Sequence, residues 1–205
     1  AGGKQWLTPL LKPLISSGSG KYIEPFLGGG SVYFSALPAN AWLSDRNQEL
    51  IDTYRTVKKD AEAVIRLLHT FSFTRDCYYR VRDWHPRFAS GRAARFIYLN
   101  RTCWNGLYRV NRDSKFNVPM GSFDSKPDFV VADRLRAAQL ALNGTQIRCV
   151  DFGHACKAAA ADDTVYLDPP YTVSHENNGF LRYNERVFSW ADQERLARLS
   201  RALKK

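Results

Sequence analysis

The stretch Tyr22-Ile23-Glu24-Pro25-Phe26-Leu27-Gly28-Gly29-Gly30-Ser31, running on into Val32 to Leu37, decides the fold. Tyr22 to Phe26 reads as a short buried strand, Leu27 to Ser31 as a glycine turn, and Val32 to Leu37 as the helix that the turn opens. Strand, glycine turn and helix in that order begin a βαβ unit, in which unhindered backbone can meet a ligand where the helix starts. The turn is not the GxGxxG of a dinucleotide site, because Ser31-Val32-Tyr33 follows the three glycines. Gly18-Ser19-Gly20-Lys21, just upstream, lacks the first glycine and the Ser/Thr of a P-loop. A tight turn without a ligand would use the same glycines, so the surrounding chain has to decide.

Downstream, Ala41-Trp42-Leu43-Ser44-Asp45 predicts a second strand ending in an acid 21 residues after Glu24, where open α/β sheets place a carboxylate for ribose hydroxyls. A plain helix cap leading into Asn47 is the competing reading of Asp45. Gln48 to Leu68 has the spacing of one or two amphipathic helices, which completes a β-α-β-α opening. Upstream, Lys4 to Ile15 is helical in spacing but interrupted by Pro9 and Pro13, and Ser16 to Gly20 ends it. From about Phe71 to Asn143 the alternation stops. That segment holds a helix-like stretch (Ala93 to Asn100), a long polar and basic loop (Arg101 to Lys126) and a second helix (Phe129 to Leu142). Strand character returns at Thr145 to Val150, and Thr164-Val165-Tyr166-Leu167 is a short strand running into Asp168-Pro169-Pro170-Tyr171. Ser189 is placed to cap a last helix with Leu196, Leu199 and Leu203 in one apolar stripe. The expected organisation is a discontinuous α/β core, residues 1–70 and 144–205, with an inserted, mainly helical lobe, residues 71–143.

With 205 residues, 44% of them hydrophobic, the chain can bury one good core and carry a smaller lobe on it. No run approaches the ~20 apolar residues of a membrane span, and the N-terminus lacks a signal-peptide pattern, so a soluble intracellular protein is expected, with no membrane partner. The four cysteines, Cys77, Cys103, Cys149 and Cys156, form no CxxC pair and are expected as reduced structural thiols. His154 and Cys156 are two candidate ligands without a second pair, so no metal is expected. The net charge is +10, and the segment from Phe73 to Arg148 supplies +8 of it, with twelve Arg and two Lys against six Asp. Such a segment points to an acidic partner. Within it, Arg101-Thr102-Cys103-Trp104-Asn105-Gly106-Leu107-Tyr108-Arg109 mixes residues that hold phosphates, stack on bases and read base edges. A solvated surface face is the plainer alternative.

Asp168-Pro169-Pro170-Tyr171 carries the sharpest chemistry. Its two prolines fix φ and remove two donors, so the Asp168 carboxylate and nearby carbonyls become a rigid set of acceptors at the sheet's carboxyl edge. An exocyclic amine needs such acceptors. With one N–H given to Asp168 and one to the Pro169 carbonyl, the nitrogen lone pair leaves ring conjugation and points at an electrophilic methyl. Tyr171 can stack on the base, which must leave the duplex to reach the pocket. A bare Asp-Pro-Pro turn is the alternative.

Taken in this order, Glu24 to Ser31 and Asp168 to Tyr171 resemble the motifs of the Dam-type (D12 class) adenine-N6 DNA methyltransferases. Ala1-Gly2-Gly3-Lys4 resembles the family's N-terminal cofactor motif, and Leu43-Ser44-Asp45-Arg46-Asn47 its second-strand acid. Arg95 to Arg101, Asn105 to Asn111 and Phe116 to Gly121 are similar to its target-recognition region, so the resemblance covers nearly the whole chain. It implies a Rossmann-like S-adenosylmethionine-dependent methyltransferase core with an inserted, mainly helical target-recognition lobe. Family members continue past the last helix with further strands, one bearing a Ser-Asn motif, so the C-terminal strands are expected to be missing here.

By this resemblance Ala1, Gly3 and Lys4 contact S-adenosylmethionine together with Glu24, Phe26, Gly28, Gly30 and Ser31, and with the acids Asp45 and Asp168. Asp168, Pro169, Pro170 and Tyr171 form the catalytic motif, with Asp168 between cofactor and target amine. Leu107, Arg109 and Pro119 match positions that read bases, and Trp104 matches an aromatic that wedges into the gap left by flipping. Arg101, Asn105, Asn111 and Asn117 complete the implied DNA contacts. The implied substrate is adenine N6 in double-stranded DNA, with GATC as the expected target, and the implied enzyme is a cytoplasmic monomer of a bacterium, phage or mobile element. Two alternatives stay open. One is a family member that binds DNA without turnover because its core is incomplete. The other is a methyltransferase for RNA or a protein amide, against which stand the 136 residues between Ser31 and Asp168 that hold the basic lobe.

Overall fold

The structure, a computed structural model, describes residues 8–16, 20–111, 113, 115–125, 127–170 and 188–203. In chain order its elements begin with α1 (Thr8–Ser16), β1 (Tyr22–Glu24), α2 (Ser31–Ala36), β2 (Ala41–Asp45), α3 (Gln48–Lys59), α4 (Ala61–His69), α5 (Arg75–Asp83) and α6 (Ala89–Thr102). They continue with a 3-10 turn (Trp104–Gly106), α7 (Ala132–Ala141), β3 (Gln146–Cys149), α8 (Phe152–Lys157), β4 (Thr164–Val165) and α9 (Trp190–Leu203). The described residues form two compact units, one from those within 8–46 and 144–203, the other from those within 47–143.

The first unit is an α/β sandwich. Its four strands are all parallel, in the order β3-β2-β1-β4. A strand buried on both faces has no alternating pattern, and accordingly all three residues of β1 and the first four of β2 are buried, whereas the outer strands β3 and β4 are partly exposed. Tyr22 faces α2, where its ring stacks on Tyr33 at 6.5 Å. Ile23 and Trp42 face the other way, in a cluster with Ala155 of α8. Helices thus cover both faces, the layering expected of a parallel sheet. Pro13 does not end α1, which continues through it to Ser16.

α9 starts as the sequence suggests. The Ser189 hydroxyl accepts from the Asp192 N–H at 3.2 Å, and the Asp192 carboxylate accepts from the Ser189 N–H at 3.1 Å, a reciprocal cap. Arg195 then grips Asp151 with two bonds of 2.9 and 2.8 Å. Leu196 and Leu199 are half-buried and Leu199 lies over Gly153 of α8, so the apolar stripe is partly covered there.

The second unit is helical. α3 and α4 are capped by the Asn47 and Asp60 side chains, which accept from the Leu50 and Ala63 N–H groups at 3.1 and 2.9 Å. Both helices pack in this unit with α6 and α7, and Arg136 of α7 reaches Glu62 of α4 at 2.6 Å. The small Ala93 and Ala94 let α6 run through the centre, and Tyr78, Tyr98, Phe116 and Phe129 fill the space around it. The buried phenols are satisfied: Tyr98 donates to the Ser72 carbonyl at 2.8 Å and Tyr78 to the Val118 carbonyl at 2.9 Å. Helix α5 has no counterpart in the sequence reading. Its buried residues are only Cys77, Tyr78 and Val81, among charges on either side.

The end of α5 depends on a charge. Arg95, 8% exposed, donates from Nε to the Val81 carbonyl at 3.2 Å and from Nη2 to the Arg82 carbonyl at 2.6 Å. Those are carbonyls of the last turn, which form the negative end of the helix dipole; the Val81 carbonyl also accepts from the Trp84 N–H at 3.3 Å. Arg95→Ala is therefore expected to cost about 1–3 kcal/mol in urea denaturation, the range for stranding buried acceptors. A loss under half a kcal/mol would mean that water replaces the guanidinium freely.

Candidate active site

In an open parallel sheet the ligand crevice lies where the strand order reverses, outside the carboxyl ends of the two strands that diverge there. Here those strands are β1 and β4, side by side in the order β3-β2-β1-β4. Tyr22 pairs with Thr164 and Ile23 with Val165, and the Tyr166 N–H donates to the Ile23 carbonyl at 2.9 Å. Glu24 with the glycine turn leaves one strand, and Asp168-Pro169-Pro170 leaves the other. Both motifs come to a single edge.

The turn is held from β2. The Leu27 N–H donates to the Ser44 carbonyl at 2.9 Å, and the Gly28 N–H to Asp45 Oδ2 at 3.1 Å. Asp45 thus braces the glycine turn, and the cap of α3 falls to Asn47 instead. Gly28 has φ +46° and Gly30 φ +64°, in the left-handed region, and a Cβ added at Gly28 or Gly29 would meet nothing within 4 Å. Open room therefore lies over the turn. Ser31 begins α2 and is half-buried.

Three further groups shape this edge. Glu24 is 2% exposed and accepts from the Tyr22 hydroxyl at 2.7 Å. Phe26, half-buried, stacks on Phe152 at 5.2 Å and meets Phe188 edge-on at 5.6 Å. Asp168 and Pro169 are half-buried and Pro170 is exposed. Phe152 and Phe188 belong to no motif legible in the sequence. The signal for Phe152 is its place directly after Asp151, an acid two residues past the end of β3. Asp151 caps α8 through the Gly153 N–H at 2.8 Å. Against the burial that would raise it, the Arg195 fork and that N–H hold the Asp151 carboxyl below its usual range. Ala1, Gly3, Lys4 and Tyr171 lie outside the described residues.

The other candidate residues lie in the second unit, on what the sequence suggested was a long loop and the structure folds into a hairpin. Cys103 bridges Met120 and Val110 bridges Phe116, both antiparallel. The Trp104 N–H donates to the Pro119 carbonyl at 3.0 Å, which brings two candidates together. Trp104 is 51% exposed, and Asn105 beside it is exposed at φ +52°. Arg109 donates from Nε to Asn117 Oδ1 at 2.9 Å, so these two candidates also meet. Asn111 Oδ1 accepts from the Asp113 and Lys115 N–H groups at 3.0 and 2.9 Å and shapes the hairpin tip. Arg101 Nε donates to the Asp128 carbonyl at 2.8 Å. Leu107 is half-buried against the helical core, and Pro119 is exposed.

A family model described as D12 class N6 adenine-specific DNA methyltransferase matches residues 1–205. The chain belongs to that family. It is 37% identical over 205 residues to a Type II methyltransferase of Lactococcus lactis subsp. cremoris, covering 95% of this chain and 72% of the relative. It is 36% identical over 231 residues to a Type II methyltransferase of Methanocaldococcus jannaschii, covering 100% of this chain and 78% of the relative. A DNA adenine methylase of Serratia marcescens is 35% identical over 209 residues, covering 99% and 76%. The D12 methyltransferase is accordingly a site-specific adenine DNA methyltransferase, with DNA as substrate and a methyl donor as co-substrate. Among the described residues no helix is long and apolar enough to cross a membrane, and no group of three or more His, Cys, Asp or Glu is placed to hold a metal ion. Cys156 is buried whereas His154 is exposed.

Because Gly28 sits at positive φ in open space, Gly28→Ala should cost ~1 kcal/mol through backbone strain alone. Chemical denaturation measures it, and unchanged stability would show that the turn relaxes to negative φ at no cost.

Proposed function

We propose that the enzyme takes its methyl group from S-adenosylmethionine and places it on N6 of an adenine flipped out of double-stranded DNA, at a GATC target. The observation that carries this reading is the pairing of β1 with β4, which delivers the glycine turn and Asp168-Pro169-Pro170 to one sheet edge. The residues present fit the cofactor. The room over Gly28 and Gly29 admits a ligand against bare backbone, Asp45 ends β2 where a ribose is held, and Phe26 offers a half-exposed ring. When bound, the cofactor supplies a methyl activated by a positively charged sulfur.

The chain's own groups do the rest. Asp168 and the Pro169 carbonyl accept the two N–H bonds of the target amine and free its lone pair, and the proton released on methylation passes to Asp168. Tyr171 stacks on the extruded base. In the hairpin, Trp104 fills the vacated space in the duplex, and Leu107 and Pro119 lie against base edges. Arg109 reads a guanine through O6 and N7, a pair that discriminates by ~1–3 kcal/mol. Asn117, which holds the guanidinium at 2.9 Å, orients that fork. Arg101, Asn105 and Asn111 position the backbone. With DNA as substrate, the site of action is the cytoplasm of the cell or of a phage's host.

Asp168→Ala is expected to abolish transfer of labelled methyl to DNA and leave DNA affinity within about twofold, since the residue lies outside the basic hairpin. Equal loss of both would mean that Asp168 does not act as the acceptor of the target amine. Arg109→Ala is expected to relax base choice at one position of the target by ~10–100-fold. Discrimination equal to wild type at every position would take Arg109 out of the reading set.

A further inference from the structure

Glu24 is a second carboxyl at the edge that Asp168 occupies, and the two are treated differently by the fold. In parallel strands, residues at the same level point to the same face. Tyr22 and Glu24 therefore share a face with Thr164 and Tyr166, and Asp168 follows two residues beyond Tyr166. On that face Glu24 is 2% exposed, takes a 2.7 Å hydrogen bond from the Tyr22 hydroxyl and is close to the Tyr33 N–H of α2. Among the described residues no Lys, Arg or His forms an ion pair with it.

We propose that Glu24 is a positioning residue that stays uncharged at the sheet edge beside the Asp168-Pro169-Pro170 motif, so that no second negative charge is added where the target amine is held. This rests on the reading of Asp168 as the acceptor of the target amine. Two neighbouring carboxyls in a site of low polarity share a proton, because the second charge is opposed by the first and by loss of solvent. An acceptor that became protonated would present an O–H to the amine in place of a lone pair. A neutral Glu24 adds no second charge at this edge.

The surroundings agree. Burial pushes the Glu24 carboxyl up to about 8, opposed by the Tyr22 hydrogen bond and reinforced by the Asp168 charge. Burial likewise pushes Tyr22 above its ordinary range, with Glu24 and Tyr166 adding to the rise, and pushes Tyr33 up to about 12. The phenols at the Glu24 face thus stay protonated near neutrality, and Tyr22 remains a donor.

Glu24 would titrate near 4.3 in the unfolded chain and about 8 in the fold. Its contribution to stability is complete below the lower value and is lost as pH rises toward the higher one. The direct test is a pH titration of the full chain labelled with carbon-13 at the glutamate side-chain carboxyl, read by NMR, with Glu24→Gln to assign the signal. The expected result is a midpoint near 8 that moves down in Asp168→Asn. A midpoint in the ordinary carboxylate range, as pairing with a cation would produce, overturns the proposal, and so does a midpoint indifferent to Asp168→Asn. Thermal melts supply a second measurement. The Tm of Glu24→Gln relative to wild type should rise between about pH 4.5 and 8, and a constant difference across that window counts against a protonated Glu24. Methyl transfer by Asp168→Ala, which removes the side-chain acceptor altogether, separates the two readings: retained transfer defeats the acceptor role of Asp168 and leaves the Glu24 titration to stand or fall by itself.

Discussion

The pairing of β4 with β1 is the contact on which the catalytic edge depends. It is short, and it joins distant parts of the chain: the Lys21 N–H donates to Asp163 across 142 positions, and the Thr164 N–H returns a bond to the Lys21 carbonyl at 2.9 Å. The approach is close enough that a Cβ at Gly20 would run into the Asp162 carbonyl, so glycine is what permits it. Closing so long a loop is costly in chain entropy. The gain is that two turns, each of which is unremarkable in isolation, face one crevice.

Carboxyl groups in this unit show how environment sets charge. Asp151 is matched with Arg195 and with the N–H groups that open α8, and its ionised form is favoured. Glu24 sits under α2 with a phenol and a backbone N–H for company, and its neutral form is favoured. Neither side chain announces this in sequence, because an acid's partner cation and its loss of solvent are both supplied by other elements.

The helical unit solves a different problem, that of holding polar side chains still at its surface. An aromatic core around α6 anchors the base of the hairpin through the Tyr78 bond to Val118. Backbone bonds from Trp104 to Pro119 and from Gly121 to Thr102, at 3.0 and 2.9 Å, then fix its lower rungs. Candidate recognition residues on loops are useful when a rigid scaffold aims them, and here the loop supplies some of that rigidity itself, with Asn117 steadying Arg109 and Asn111 folding the tip.

Much of the fold was legible in local pattern. The strand, glycine turn and helix of Tyr22 to Leu37, the acid ending Ala41 to Asp45, and the strand before Asp168 are signalled by residues next to one another, and the structure keeps each of them. Helix α5 was not legible, because three buried residues among charges make too weak a stripe, and the hairpin was not, because its pairs lie up to 17 positions apart without an alternating pattern. The sequence by itself determined the kinds of chemistry available: rigid acceptors in Asp168-Pro169-Pro170, bare backbone in Gly28 to Gly30, and positive charge in the middle of the chain. Only the tertiary structure decided that the first two share an edge, that Phe152 and Phe188 back Phe26, and that Glu24 is buried away from any described cation. Those outcomes come from long-range pairing and loss of solvent, which no stretch of neighbouring residues encodes.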